Sequence, residues 1–78
     1  MDRIFIAMRY RSDDNCSLNF IASPIYELGY FSSRKIAYRK LEEYLSDKNF
    51  MYKIDNEYNY IVSEELFYSI IPLDKNDD

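Results

Sequence analysis

A single cysteine and no histidine leave this 78-residue chain without the usual fasteners of a small fold. One thiol closes no internal disulfide, and a zinc site would have to be built mainly from carboxylates. At this length an ordering entropy of roughly 1.5 kcal/mol per residue nearly cancels the gain from burying a core. Two routes to stability remain: large side chains in the core, or a partner chain. The sequence suits both, since 18% of it is aromatic and nine residues are tyrosine. The length fits a single domain over 1–78, with 75–78 as a frayed acidic tail.

The lone thiol fits a reducing compartment better than a secreted, disulfide-stapled scaffold. The chain opens with no charged segment leading into an apolar stretch, so no signal peptide is expected. Its apolar runs, Ile4–Met8 and Leu66–Tyr68, fall far short of the ~20 residues that span a bilayer. A soluble, cytoplasmic protein with no membrane contact is the expectation.

Arg3 to Tyr10 alternates with a period of two, placing Ile4, Ile6, Met8 and Tyr10 on one face and Arg3, Phe5, Ala7 and Arg9 on the other. This is a strand. Residues 11–17 are polar and turn-rich, Leu18 to Ala22 can continue as a strand, and Pro24 marks a bulge, edge or break. Ile25 to Phe31 reads as the next strand. Ser32 then suits an N-cap, with Phe31 and Ile36 spaced as a hydrophobic staple. A helix over 33–48 follows, its buried stripe made by Ala37, Leu41, Tyr44 and Leu45. Its outer face would be Lys35, Arg39, Glu42, Glu43 and Ser46. Asn49 and Phe50 fit a Schellman ending.

Phe50–Ile54 and Tyr58–Val62 form a hairpin about the turn Asp55-Asn56-Glu57. Residues 63–73 fit either a helix turn or a strand, and their β-forming composition favours a last strand from Leu66 to Ile71, halted by Pro72. The fold class expected is α+β: a small antiparallel sheet of four to five strands with one helix packed on one face.

Catalytic equipment is missing. No histidine offers a base near neutral pH, and no Gly-rich phosphate loop, paired CxxC or Gly-x-Ser-x-Gly turn occurs. Cys16 follows Asp13 and Asp14, the reverse of the electropositive setting that activates a thiol, and reads as an ordinary small residue. Asp13-Asp14-Asn15 and Asp55-Asn56-Glu57 are oxygen-rich, but they lack the spacing and glycine of a calcium loop and suit turns for backbone reasons. No metal, cofactor or enzymatic activity is expected.

Charge is sorted along the chain. Residues 1–40 hold seven Lys/Arg against four Asp/Glu, and residues 41–78 hold ten Asp/Glu against three Lys/Arg. On the helix, Arg34, Lys35 and Arg39 beside Tyr38 could meet an anion or a base. The plainer reading is a solvated face with an Arg39–Glu43 pair, and a net charge of −4 argues against direct nucleic-acid binding. The acidic half offers Glu42, Glu43, Asp47, Asp55, Glu57, Glu64 and Glu65. Lined up on one surface, these carboxylates would imitate nucleic-acid phosphates and occupy a basic channel. The competing reading is a surface that merely keeps the chain soluble. The tyrosines outnumber what one small core can satisfy, so some should form a recognition surface. Tyr58, Tyr60 and Tyr52 are the candidate anchors, with Tyr58 and Tyr60 placed on one strand face by alternation. The alternative has them as amphipathic lids on a thin core.

The strands leading to Phe31-Ser32-Ser33, the helix with Ala37, and the closing Ile70-Ile71-Pro72-Leu73-Asp74 resemble small phage and mobile-element proteins of strand–helix–strand type. The resemblance spans about residues 25–74, and its motifs are short. In size and charge the chain is also similar in kind to anti-CRISPR proteins and other host-defence inhibitors. What this implies is a phage-type inhibitor that binds a bacterial protein or ribonucleoprotein complex handling nucleic acid, with a CRISPR effector first among them. It would block that complex by occupancy. The alternative is a homo-oligomeric structural or regulatory protein, a homodimer in its simplest form.

Overall fold

The alternation at the start of the chain does become a strand, and it is the spine of the molecule. In a computed structural model, which describes residues 3–13 and 16–74, β1 spans Arg3–Asp13, β2 Cys16–Pro24 and β3 Tyr30–Phe31. The helix α1 spans Arg34–Asp47, followed by β4 at Lys53–Ile54, β5 at Tyr60–Ser63 and β6 at Leu66–Asp74. Every strand pairing is antiparallel, in the order β2-β1-β6-β5-β4, with β3 also on β1. The class is α+β with the helix on one face, as expected. The sheet, however, has six strands rather than four or five.

The larger sheet comes from three departures. β1 continues through the polar Arg11-Ser12 because its neighbours pair there on both flanks: Arg11 faces Ile21 on one side and Leu66 on the other. Residues 25–31 are not one strand. The Ile25 amide still bonds Ala7, then the chain leaves β1 in a turn over 26–28 closed by Leu28 N–H to the Ile25 carbonyl, and returns only at Tyr30. β2 and β3 therefore form one interrupted strand along a single flank of β1. Finally, Pro72 does not halt β6, which runs on to Asp74 with Pro72 opposite Phe5. β5 pairs with β6 only as far as Tyr68, so beyond it that flank is open and a missing N–H has no ladder partner to lose.

The helix starts one residue later than its signals suggested. Ser33 is the N-cap, its hydroxyl accepting from the Ile36 amide at 3.4 Å. The Phe31–Ile36 staple is therefore out of register: Phe31 packs on the core while Ile36 is exposed. The other end behaves as read. Asn49 is left-handed at φ 61°, and the Phe50 and Asn49 amides bond the Leu45 and Ser46 carbonyls at 2.9 and 3.0 Å, a full Schellman ending.

Ala37, Leu41 and Leu45 are fully buried and meet Ala7, Ile25, Tyr60, Tyr68 and Ile70 in one core, with Tyr44 half-buried at its margin. Arg34 and Lys35 oppose the macrodipole in the first turn, but the Arg34 guanidinium lies over the Phe5 ring at 5.0 Å. Among the described residues no helix is long and apolar enough to cross a membrane. Asp14, Asn15, the 75–78 tail and the side chains of Asp13 and Cys16 lie outside the described part, and the readings of those residues with them.

Candidate interaction surface

The register sorts the sheet into two faces, because residues directly opposite each other share one. Phe5, Ala7 and Arg9 stand with Pro72, Ile70 and Tyr68 of β6 and with Tyr60 of β5, and this face carries the helix. Ile4, Ile6, Met8 and Tyr10 stand with Leu73, Ile71, Ser69 and Phe67. The same face continues through Pro24, Ala22 and Phe20 on β2, Tyr30 on β3 and Ile61 on β5. Among the described residues no element lies over it. Phe67 is its aromatic centre, stacked on Tyr10 with centroids 4.6 Å apart and met edge-on by Phe20 at 5.1 Å. Ile6 is buried at 8%, while Tyr30, Leu73, Phe20 and Ile61 stay exposed at 71%, 42%, 40% and 36%. Of the two faces, the one holding the arginines took the helix, and the uniformly apolar one was left open.

The seven acidic residues named from the sequence sit in different settings, five exposed and two engaged in the fold. Glu42 does not point outward: it is half-buried and its carboxylate accepts from the Tyr60 hydroxyl at 2.6 Å. Glu43 is exposed and meets Lys40 at 3.6 Å instead of Arg39. Asp47 is exposed at the helix end. Glu57 lines a shallow depression with Arg34, Lys35, Tyr38 and Tyr58, so cations and an anion share that spot. Glu64 and Glu65 form the exposed β5–β6 turn, pinned by the Ser12 amide on the Glu65 carbonyl at 2.9 Å. Sheet pairing sets Arg11 opposite Leu66, next to Glu64 and Glu65 of the β5–β6 turn, and Lys40 meets Glu43 on the helix, so charge sorted along the sequence is mixed in space.

Asp55 is turn chemistry, as the plainer reading had it. Its carboxylate accepts from the Glu57 and Asn59 amides at 2.9 and 2.8 Å and from Asn59 Nδ2 at 3.1 Å. These bonds, led by the Asn59 amide, hold its pKa below the usual carboxylate value against the opposing effect of desolvation. Among the described residues no group of acidic or cysteine side chains could hold a metal ion.

The tyrosines divide. Tyr58 is exposed, but it sits in the β4–β5 loop with φ 62°, not on a strand face shared with Tyr60. Tyr60 is 2% exposed and is a core residue, not a surface anchor. Burial first, then the bond to Glu42, push its hydroxyl far above the ordinary tyrosine pKa. Tyr52 is half-buried against it, centroids 5.0 Å apart, and its pKa is raised by burial and by the Glu42 charge. Tyr38 bridges the pair that alternation had aligned, lying 5.8 Å from both the Tyr58 and Tyr60 rings. The lid reading therefore describes Tyr60 and Tyr52, and Tyr58 alone of the three stands in solvent.

No family model, curated protein or solved structure matches the chain.

Proposed function

We propose that this chain is a non-catalytic interaction protein that acts by occupying a partner's surface. One observation supports the reading: a continuous apolar sheet face, built by alternate residues of successive strands, that no element among the described residues covers. Contiguous exposed apolar surface on a small domain marks a site of contact. Asp55 and Glu64 line a shallow hollow with Ile61 and Phe67, giving this face an apolar centre and an acidic margin.

The partner class comes from the resemblance and the acidic surplus: a bacterial nucleic-acid-handling complex, a CRISPR effector first, bound by a phage-type inhibitor. With Glu42 bonded to Tyr60 and Asp55 holding its own turn, the part we assign to the remaining carboxylates is long-range attraction toward a basic surface rather than a row of phosphate substitutes. A homo-oligomeric structural or regulatory role is the second reading, favoured by the same apolar face. The test is to add purified protein to a CRISPR effector and follow target cleavage across salt concentrations. Near-stoichiometric inhibition that fades as salt rises, and weakens in Glu43→Lys with Asp47→Lys, is expected. Full cleavage at a large molar excess sinks the inhibitor reading.

A further inference from the structure

We infer that the open sheet face is covered by a second copy of this chain, giving a face-to-face dimer with the helices on its two outer layers. The inference rests on reading that face as a contact surface, and it names the occupant. Three observations carry it.

The first is area. Strands about 4.8 Å apart, rising about 3.3 Å per residue, give this face a footprint on the order of 600 Å² before side-chain relief is added. Stable interfaces bury about 600–1,000 Å² per partner. The face is large enough, and little of it would be left over.

The second is charge. Docking about a two-fold axis brings the groups at the centre of the face near their own copies, so a like charge there would oppose it. Ile4, Ile6, Met8, Tyr10, Phe67 and Ile71 carry none, and Ser69 adds only a hydroxyl. The cation on this parity is Lys53, opposite Ile61 on the edge strand β4. Arg9 stands on the helix side with Tyr68, and Arg11, two residues along β1, follows the same parity. A molecule of net charge −4 thus presents an uncharged centre to its twin.

The third is the thinness of the monomer. One helix on one sheet gives a single core, and no disulfide reinforces it. Two open faces packed about 10 Å apart, with strands within roughly 30° of alignment, add a second core between the sheets. A target complex would then be met by the helices and loops outside, where Glu43, Asp47 and Tyr58 are exposed.

Sedimentation or light scattering at tens of micromolar should give about twice the 9.5 kDa chain mass. Tyr30→Glu and Leu73→Glu, each at an exposed position of the face, should each weaken self-association by roughly thirty-fold or more, the level of an interface hot spot. Ile36→Glu, the same charge placed on the helix layer, should leave the doubled mass intact. Circular dichroism confirms that each variant is folded, and either face variant suffices. A monomeric wild type overturns the inference, and so does a dimer untouched by a folded face variant. The cleavage assay stands apart: its failure removes the inhibitor reading and leaves the dimer, and a monomeric inhibitor does the reverse.

Discussion

The Tyr60 hydroxyl donates to Glu42 Oε2 at 2.6 Å, tying β5 to the middle of α1 across the layer boundary. The acceptor is a carboxylate and the bond is short, both marks of a stronger class of hydrogen bond. Among the described residues the helix is otherwise held on the sheet by apolar and ring contacts, the Tyr38–Tyr60 stack among them, which constrain direction less than a short hydrogen bond. This bond supplies a direction, fixing the rotation of the helix about its own axis.

Tyr60→Phe should therefore cost about 1.5 kcal/mol in urea unfolding, because the half-buried carboxylate loses its donor. The pH dependence is distinctive. Tyr60 has a raised pKa in the folded state, from burial first and Glu42 second, so the unfolded chain gives up its phenolic proton earlier as pH rises. The stabilisation is intact below about pH 10 and drains away above it. Tyr68, raised chiefly by burial, acts in the same direction. Tyr60→Phe should flatten part of the alkaline decline; an unchanged decline of the unfolding midpoint above about pH 10 would discard Tyr60 ionisation as its cause.

Leu41 is fully buried at the centre of the helix stripe. Leu41→Ala should cost about 2–5 kcal/mol, the range for a large-to-small change in a core that collapses only partly. Most of the stability of a chain this small lies in that range, so the variant should be largely unfolded at 37 °C by circular dichroism. A cooperative transition within about 1 kcal/mol of wild type, half the smallest expected loss, would mean that the stripe is not the core.

How far the sequence anticipated this depends on how local the cause was. The Schellman ending was legible because Asn49 and Phe50 produce it almost alone, and the buried stripe because Ala37, Leu41 and Leu45 repeat at helical spacing. The alternation of β1 was legible too, but not which face the helix would choose. Phe5 and Ala7 won that side through packing against α1, a tertiary outcome with no local signal. The turn at 25–29 was hidden because Ile25 to Phe31 is rich in β-formers, and Gly29 at φ 70° was the one hint of a reversal. Glu42 looked like an outer-face residue because helical spacing cannot show that a tyrosine 18 positions away reaches back to it. The open face was recoverable in part: Ile4, Ile6, Met8 and Tyr10 form the more uniformly apolar set, matched by Phe67 and Ile71 at the other parity of β6.

Besides Gly29, two of the described residues occupy the left-handed region, and the same replacement should act on them in opposite senses. Asn49 has φ 61° at the helix end, where glycine is the commonest residue. Asn49→Gly should be neutral or stabilising by a few tenths of a kcal/mol, and Asn49→Ala destabilising by about 1 kcal/mol. Tyr58 has φ 62°, which is more strained for a bulky side chain. Tyr58→Gly relieves that strain but removes the ring packed on Tyr38, itself beside Tyr60. A net loss is expected, because the Tyr38–Tyr60 stack then lies open to water. Urea midpoints for the three variants decide it, and a stabilising Tyr58→Gly would show that the loop ring contributes nothing to the fold.

Asp55 should make the β4–β5 hairpin acid-labile. Its carboxylate takes the Glu57 and Asn59 amides and the Asn59 side chain, while its own amide donates to the Asn59 carbonyl at 3.1 Å. Such acceptance favours the charged form, and the Asn59 amide leads in lowering the folded pKa. As pH falls, the unfolded chain therefore binds its proton first, near pH 4, and the stabilisation is lost progressively below that value. Asp55→Asn removes the charge while keeping an acceptor, so its acid slope should be shallower than that of the wild type although its stability at neutral pH is lower. Amide chemical shifts of Glu57 and Asn59, followed from neutral pH down to about pH 2, report the local event separately from global unfolding. Shifts in the wild type that titrate at the ordinary carboxylate value would show that these bonds do not favour the ionised side chain, and the hairpin would owe its geometry to the backbone pair alone.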